Sequence, residues 1–462
     1  MTGPRRRPTA IDLSALCIGL AVALAVVAVA RPAAAEAPER PVQDYGGPRK
    51  GTSAGKVLLW VPRVVLFPLW VVSDFVIRRP VGALVKAAEA GQWPEQIISF
   101  FTFGDRRQIT VFPSFLFDFG MLPSAGINAE WKYFLADPNT IRLHAATWGP
   151  EWLALRAVDS YALSRTTSVA LDASAIARQD NPFYGIGPLS GNDRSRYQTT
   201  RLEVGARYEW RFWHSSAIKV GLGVRSLSFG GGSCCGDPSL DAVVASGGTP
   251  APPGFGDGYV AEYDRISFAL DTRKPRPEEG SGVRVEAHAQ GTFAPASQGD
   301  QRGPDGETSR SWVTYGASAA AGLDLTGTQR VVSLAVDAEL ADPLDGQIPF
   351  TDLVSLGGDV LMRGFLRDRL IDRSALVATL KYTWPIWVFL DGVIHADIGD
   401  VFDAHFQGFA PGLLRMTSGI GVRSNGARDS GFELLVAVGT DPLENGLHVS
   451  SFRLVIGSHH GF

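Results

Sequence analysis

The sequence predicts an all-β fold: a transmembrane antiparallel β-barrel of about 16 strands, preceded by a short helical periplasmic segment. Three observations carry that prediction. From about residue 107 onward, polar and apolar side chains alternate with a period of two, which puts them on opposite faces of a strand. The apolar face keeps its parity and ends in aromatics, as a lipid-facing wall does. Short and long connections then alternate, as periplasmic turns and outer loops do in such barrels.

Composition agrees. Of 462 residues, 19% are charged, 10% are aromatic and 52 are Gly, with mean hydropathy +0.05. That is too apolar for a disordered chain, and the glycines have no collagen period. No uninterrupted stretch of about 20 apolar residues follows the leader, which argues against a helical membrane bundle. The net charge of −4 gives no broad basic field for nucleic acid, so no nucleic-acid partner is expected.

Residues 1–35 read as a signal peptide: Arg5, Arg6 and Arg7, an apolar stretch from Leu13 to Ala30, and Ala33-Ala34-Ala35 for cleavage. A permanent N-terminal anchor is the alternative. Cys17 follows Leu16 ahead of the apolar core and is a poor lipidation site. The leader holds four Arg and one Asp, so its removal takes the net charge to −7 and leaves only Cys234 and Cys235. An exported chain with two cysteines is no disulfide scaffold, and the sequence leaves open whether this adjacent pair is bonded.

Residues 36–106 read as a periplasmic linker with interfacial helices. Residues 36–55 are rich in Pro, Gly and Lys/Arg. Residues 56–89 are apolar but broken by Pro62, Arg63, Pro68 and Asp74. They suit interfacial or lumen-docked helices with Trp60 and Trp70 at a membrane boundary; an inner-membrane span is the alternative.

Residues 107–462 form the barrel. The expected strands are 108–120, 125–136, 140–149, 151–161, 166–178, 196–212, 215–228, 259–271, 281–294, 310–324, 328–341, 374–385, 388–400, 413–424, 430–440 and 447–462. The sixth shows the pattern best. Leu202, Val204, Ala206, Tyr208, Trp210 and Phe212 form one face; Arg201, Glu203, Arg207, Glu209 and Arg211 are the lumen charges on the other. The same split recurs at Val283-Val285-Ala287, Val332-Leu334-Val336-Ala338 and Phe432-Leu434-Val436-Val438. A soluble sandwich would vary the apolar parity between sheets. The connections 179–195, 229–258, 295–309 and 342–373 are long, and those between them mostly short. Phe462 ends the chain on an apolar face and resembles the C-terminal sorting signal of outer-membrane barrels.

Several fragments point further. Leu356-Gly357-Gly358 is followed by Met362-Arg363-Gly364-Phe365, and later by His395-Ala396-Asp397-Ile398-Gly399-Asp400. Asp271-Thr272-Arg273 and Phe183-Tyr184-Gly185-Ile186-Gly187 fill other connections. Over about residues 107–462 the chain resembles the BamA/TamA-type barrels of the bacterial surface antigen superfamily. The resemblance implies an outer-membrane location in a Gram-negative bacterium. It also implies a loop that folds back into the lumen, with Arg363 paired to Asp397 as its anchor. The parity of Asp397 independently points it inward, opposite Leu390, Ile394, Ala396 and Ile398. The superfamily's assembly factors carry POTRA domains of about 75 residues ahead of the barrel, whereas residues 36–106 read as linker and broken helix. The expected role is therefore to aid insertion or translocation at the outer membrane, with lipid and a separate POTRA-bearing or periplasmic partner. A passive channel or structural barrel with a lumen-plugging loop is the alternative.

Enzymatic chemistry has no support. No G-x-S-x-G elbow, H-E-x-x-H pair, P-loop or dinucleotide fingerprint occurs. His144, His288 and His395 stand alone in sequence, and His459-His460 lie on opposite faces of a strand, poor geometry for chelation. The expectation is no catalytic residue, no metal and no cofactor.

Overall fold

The computed structural model describes residues 99–256, 258–273, 280–295, 310–387, 390–424 and 431–459. The expectations for the leader, for residues 36–98 with the segment 56–89, and for Phe462 lie outside the described residues.

The described residues form nineteen strands: β1 (Thr102–Phe103), β2 (Ile109–Asp118), β3 (Ser124–Lys132), β4 (Asn139–Thr147), β5 (Leu153–Ala162), β6 (Thr167–Phe183), β7 (Ser195–Trp213), β8 (Ser216–Gly231), β9 (Tyr259–Asp271), β10 (Gly282–Ala294), β11 (Arg310–Asp324), β12 (Val331–Asp345), β13 (Val354–Leu356), β14 (Leu370–Asp372), β15 (Ser374–Trp387), β16 (Leu390–Phe402), β17 (Arg415–Ser424), β18 (Gly431–Thr440) and β19 (Val449–His459). One short helix, α1 (Leu240–Ala245), lies in the connection after β8, capped by the Ser239 hydroxyl, which accepts from the Ala242 N–H.

Sixteen of the strands, β2–β12 and β15–β19, form one antiparallel barrel, closed where β19 pairs with β2. Closure is what lets such a sheet sit in lipid, because it leaves every strand with two neighbours. Each strand expected from the alternation is present, and those at 259–271 and 310–324 match residue for residue. The largest differences are at β6, which runs five residues further, to Phe183, and at β12, which runs to Asp345. β6 reaches beyond the alternating stretch because its ladder with β7 resumes after a bulge between Arg178 and Asn181. A bulge breaks the period-two pattern without ending the strand, so the sequence signal stops early.

The faces follow the expected parity. Leu202, Val204 and Tyr208 on β7 are exposed on the outer wall, in register with Ser226, Val224 and Val220 of β8. The outer wall is apolar almost throughout, with Trp210, Phe212 and Phe268 clustered near its turn end. Among the described residues, no helix is long and apolar enough to cross a membrane. Connections at the turn end are short, as at His214-Ser215. Those at the other end are long: 184–194, 232–258 and 346–373.

One feature escaped the sequence reading. Residues 36–106 showed no strand signal, yet β1 doubles back through Gly104 and pairs with β2 at Thr102↔Thr110 and Phe103↔Ile109. Two residues are too few for an alternation to register.

Circular dichroism of the refolded chain in detergent should be dominated by β signal, and its gel mobility should change on heating; a mainly helical spectrum contradicts the barrel. Val204→Arg, on the outer wall, should lower stability by about 2–4 kcal/mol if it lies near a bilayer midplane. Arg207→Ala, on the inner wall, should cost much less, and denaturant titration in lipid vesicles separates the two.

Candidate functional site: the barrel seam and the loop that fills the lumen

The connection between β12 and β15, residues 346–373, turns inward and packs as a small core of its own. Leu356, Met362, Phe365 and Leu370 cluster with Ala375, Val377 and Val401 of the wall. Phe350 and Ile371 cluster with Phe183, Tyr197 and Leu240, and Ile348 with Ala261, Ala294, Trp312 and Ala341. The β13–β14 hairpin stiffens the loop. Apolar side chains of one loop thus reach opposite parts of the barrel, which suits a plug and not a mobile lid.

Charged contacts fix it at several walls. Asp352 takes Arg225 Nη2 of β8 at 2.5 Å and the Tyr259 hydroxyl of β9. Arg369 donates to Ser190 Oγ at 3.0 Å and Asn192 Oδ1 at 2.9 Å, with its guanidinium 4.5 Å from the Tyr184 ring. Burial, with Arg415 nearby, brings the Arg369 pKa down to about 10; it keeps its charge at neutral pH.

Met362, Arg363, Gly364 and Phe365 make the tightest approach. Met362 and Phe365 are fully buried, and Met362 adopts a left-handed φ of 51°. A Cβ at Gly364 would lie 2.0 Å from the Val438 carbonyl oxygen, so only glycine lets the loop lie this close to β18. The Phe365 ring covers Gly439, where a Cβ would lie 2.4 Å from it. Ser451 of β19 donates to the Gly364 carbonyl at 2.8 Å.

The expected pair of Arg363 with Asp397 needs correction. The Arg363 guanidinium pairs with Glu433 of β18, Nη2 to Oε1 at 2.5 Å. Asp397 receives the Arg363 backbone N–H at 3.4 Å and the Thr417 hydroxyl at 2.6 Å. The reason is reach: the backbone of the loop already lies over β16 and β17, so the long side chain extends past Asp397 to the next strand but one. Asp397 remains a loop anchor, through the main chain.

The other expected lumen charges do not meet the loop motif. Arg201 pairs with Glu203 at 2.6 Å, and the Tyr263 hydroxyl donates to Glu203 at 2.9 Å. Arg211 pairs with Glu209 at 2.6 Å, and Arg207 lies 3.6 Å from Asp172. These pairs stay partly exposed on the inner wall. Among the described residues no group of three His, Cys, Asp or Glu is placed to hold a metal ion.

Among the described residues the seam is the shortest ladder in the barrel. β19 meets β2 through three residue pairs, Val455↔Asp118, Ile456↔Phe117 and Gly457↔Leu116, whereas β2 and β3 share eight and β18 and β19 share ten. Below those three pairs, β1 occupies the same edge of β2. Above them, Arg453 of β19 spans the seam. It bonds Asp118 of β2 through Nη2 at 2.7 Å and Nε at 3.0 Å, and Asp359 of the loop at 2.7 Å, and it donates to the Gly358 carbonyl. Arg453 is 1% exposed. One guanidinium therefore joins the last strand, the first strand and the loop, in the forked geometry that only arginine offers.

Sequence reading missed Arg453, Asp118, Glu433 and Asp352. Arg453 carried a signal: it is a charge at inner parity among Ser451, Val455 and Gly457. Its partners were not legible, because they lie 335 and 94 residues away.

Arg363→Ala and Glu433→Ala should each loosen the loop, increase its cleavage by added protease and raise ion conductance. Breaking one side costs about 3–5 kcal/mol for a fully desolvated pair, less where lumen water reaches it. The double variant should be little worse than either single one; simple addition of the two effects would show that they are not partners.

No family model matches the chain, and no curated protein sequence matches it. Solved structures do. BamA from Haemophilus ducreyi lacking POTRA domains 1–3 aligns with a TM-score of 0.51 at 12% identity, over 76% of this chain and 70% of that one. CdiB from Acinetobacter baumannii aligns at 0.47 and 9% identity, over 76% and 59%. CdiB from Escherichia coli aligns at 0.46 and 12%, over 75% and 62%. The barrel described here is a BamA-type fold, with its sixteen strands closed at a short seam and its long loop inside.

Proposed function

We propose that this chain is a bacterial outer-membrane barrel that aids insertion or translocation of protein segments, with the β19–β2 seam as the part that opens. The observation that carries this reading is the seam itself. Among the described residues, three ladder pairs, the Phe119 N–H bond to the Leu454 carbonyl and one arginine close it, while neighbouring pairs of strands share eight to ten residue pairs. An unpaired strand edge is a template for another strand, and separating β19 from β2 would create one facing the bilayer. The pairing of β1 with the lower part of that edge supports the same reading, since it covers backbone groups outside the described β19 ladder. A separate periplasmic or POTRA-bearing partner would deliver the client.

The alternative reading, a passive channel, needs a clear path through the lumen. The loop core at 346–373, held at Arg225, Glu433 and Arg453, stands against it.

Phe117 and Ile456 face each other across the seam on its outer side, at a separation that a disulfide can bridge. The test places the chain in lipid vesicles and follows folding of a urea-denatured eight-stranded outer-membrane barrel. The native chain should accelerate that folding. The Phe117→Cys/Ile456→Cys variant should lose the acceleration when oxidised and regain it on reduction. Ion leakage with no acceleration in either state would favour the passive channel.

A further inference from the structure

The inner wall below the loop is charged unevenly. On β3 to β8 three carboxylates are each shared by two cations. Glu130 meets Arg142 at 2.9 Å and Lys132 at 3.5 Å, and Asp172 meets Arg156 at 3.5 Å and Arg207 at 3.6 Å. Glu209 meets Arg211 at 2.6 Å and Lys219 at 4.0 Å. Arg265 on β9 adds another cation and bonds the neutral Gln290 through Nε at 2.9 Å and Nη2 at 2.6 Å. This group therefore carries a surplus of positive charge, and the cations are its accessible members. The side chains of Arg211 and Lys219 are 63% and 50% exposed, whereas that of Glu209, which they share, is 18% exposed. Arg207 and Arg265 are exposed as well.

The register gives this surplus a shape. Arg207, Gly221 and Arg265 stand in one row across β7, β8 and β9, and Lys219 lies one inward step below Gly221. A strand spacing of about 4.8 Å and a rise of about 3.3 Å per residue put Lys219 about 8 Å from each arginine at Cα. Gly221 leaves the floor between them open: a Cβ there would meet only the Ala206 carbonyl oxygen, at 3.4 Å. The cradle lies below Arg225, where β8 holds the loop through Asp352, and above the short turn at His214-Ser215. It is reached from the turn end, which faces the periplasm in such barrels. Further round the wall the sign reverses, with Glu286, Asp337 and Glu339 facing the lumen from β10 and β12. A negatively charged segment in the lumen is drawn to the β7–β9 side and repelled from the β10–β12 side. Lipid tails do not suit this wall, since they lie against the apolar outer face. Carboxylates on alternate residues of an extended polypeptide stand about 7 Å apart on one face, close to the spacing of the cations.

We propose that the inner wall of β7–β9, with Arg207, Lys219 and Arg265 around Gly221, docks an extended acidic segment of a periplasmic protein that enters from the turn end. The inference stands on the barrel alone, whether or not the seam opens.

Fluorescence anisotropy of a dansyl-labelled peptide of alternating Asp and Ser, with the full chain in lipid nanodiscs, tests it. The native chain should bind this peptide, more weakly as salt rises, and should not bind a peptide of alternating Asn and Ser. The Arg207→Gln/Lys219→Gln/Arg265→Gln variant should bind about tenfold more weakly. Lys381→Gln, which removes a lumen cation on β15 away from the cradle, should leave binding unchanged. Gly221→Asp keeps every cation, places a carboxylate of its own in the cradle and should weaken binding as much as the triple variant; Gly221→Asn, of the same size, should not. The heat-dependent gel shift checks that each variant is folded. No binding by the native chain overturns the proposal, as does equal binding of the two peptides. Displacement by tripolyphosphate as readily as by unlabelled peptide also overturns it, as does a loss with Lys381→Gln as large as with the triple variant. Failure of the seam reading looks different: the oxidised Phe117→Cys/Ile456→Cys variant, its seam locked, should bind the peptide as the native chain does.

Discussion

Arg453 holds together three things that the chain brings in separately: its last strand, its first barrel strand and the loop between β12 and β15. A closed barrel must join its two ends, and every other junction in this one is a long hydrogen-bonded ladder. Here the ladder is three pairs long, so much of the closure passes to a single buried guanidinium and two carboxylates. Burying that guanidinium is tolerable only when it is paired. Arg453 meets the condition with Asp118 and Asp359 together, which ties the state of the seam to the position of the loop. Withdrawal of the loop removes Asp359 and the Gly358 carbonyl from Arg453, and it leaves the seam with Asp118 alone.

The loop is held by ordinary packing as well as charge. Its apolar side chains enter the barrel in three clusters, and glycines set the closest contacts. Gly364 lies against β18 where any larger residue would strike the Val438 carbonyl, and Gly439 receives the Phe365 ring. Arg363 and Glu433 then close the contact electrostatically. A loop fixed on several sides resists shifting by degrees, because packed interfaces do not deform gradually.

The barrel was legible in the sequence because its signal is local. Alternation along Arg201 to Phe212 depends only on neighbouring residues, and it set strand and face together. Bulges hid the upper end of β6, and brevity hid β1. The site was legible only in part. Arg363 and Asp397 were found through a resemblance in short motifs, and the parity of Asp397 placed it inward. Which carboxylate takes the guanidinium depends on where the loop backbone lies over β16–β18, and no local pattern encodes that. Arg453 and Asp118 sit at opposite ends of the barrel domain, so their meeting is a property of closure alone.

The account turns on Arg453 as the closure of the seam. Amide hydrogen exchange of the native chain and of Arg453→Met, read strand by strand in lipid, tests it most directly. Met keeps an unbranched apolar stem and removes the five donors. The account predicts faster exchange at Leu116–Asp118, Val455–Gly457 and the loop around Gly358, with β18 against β19 and β2 against β3 still protected. Unchanged exchange at the seam would contradict it, as would uniform loosening of the whole barrel.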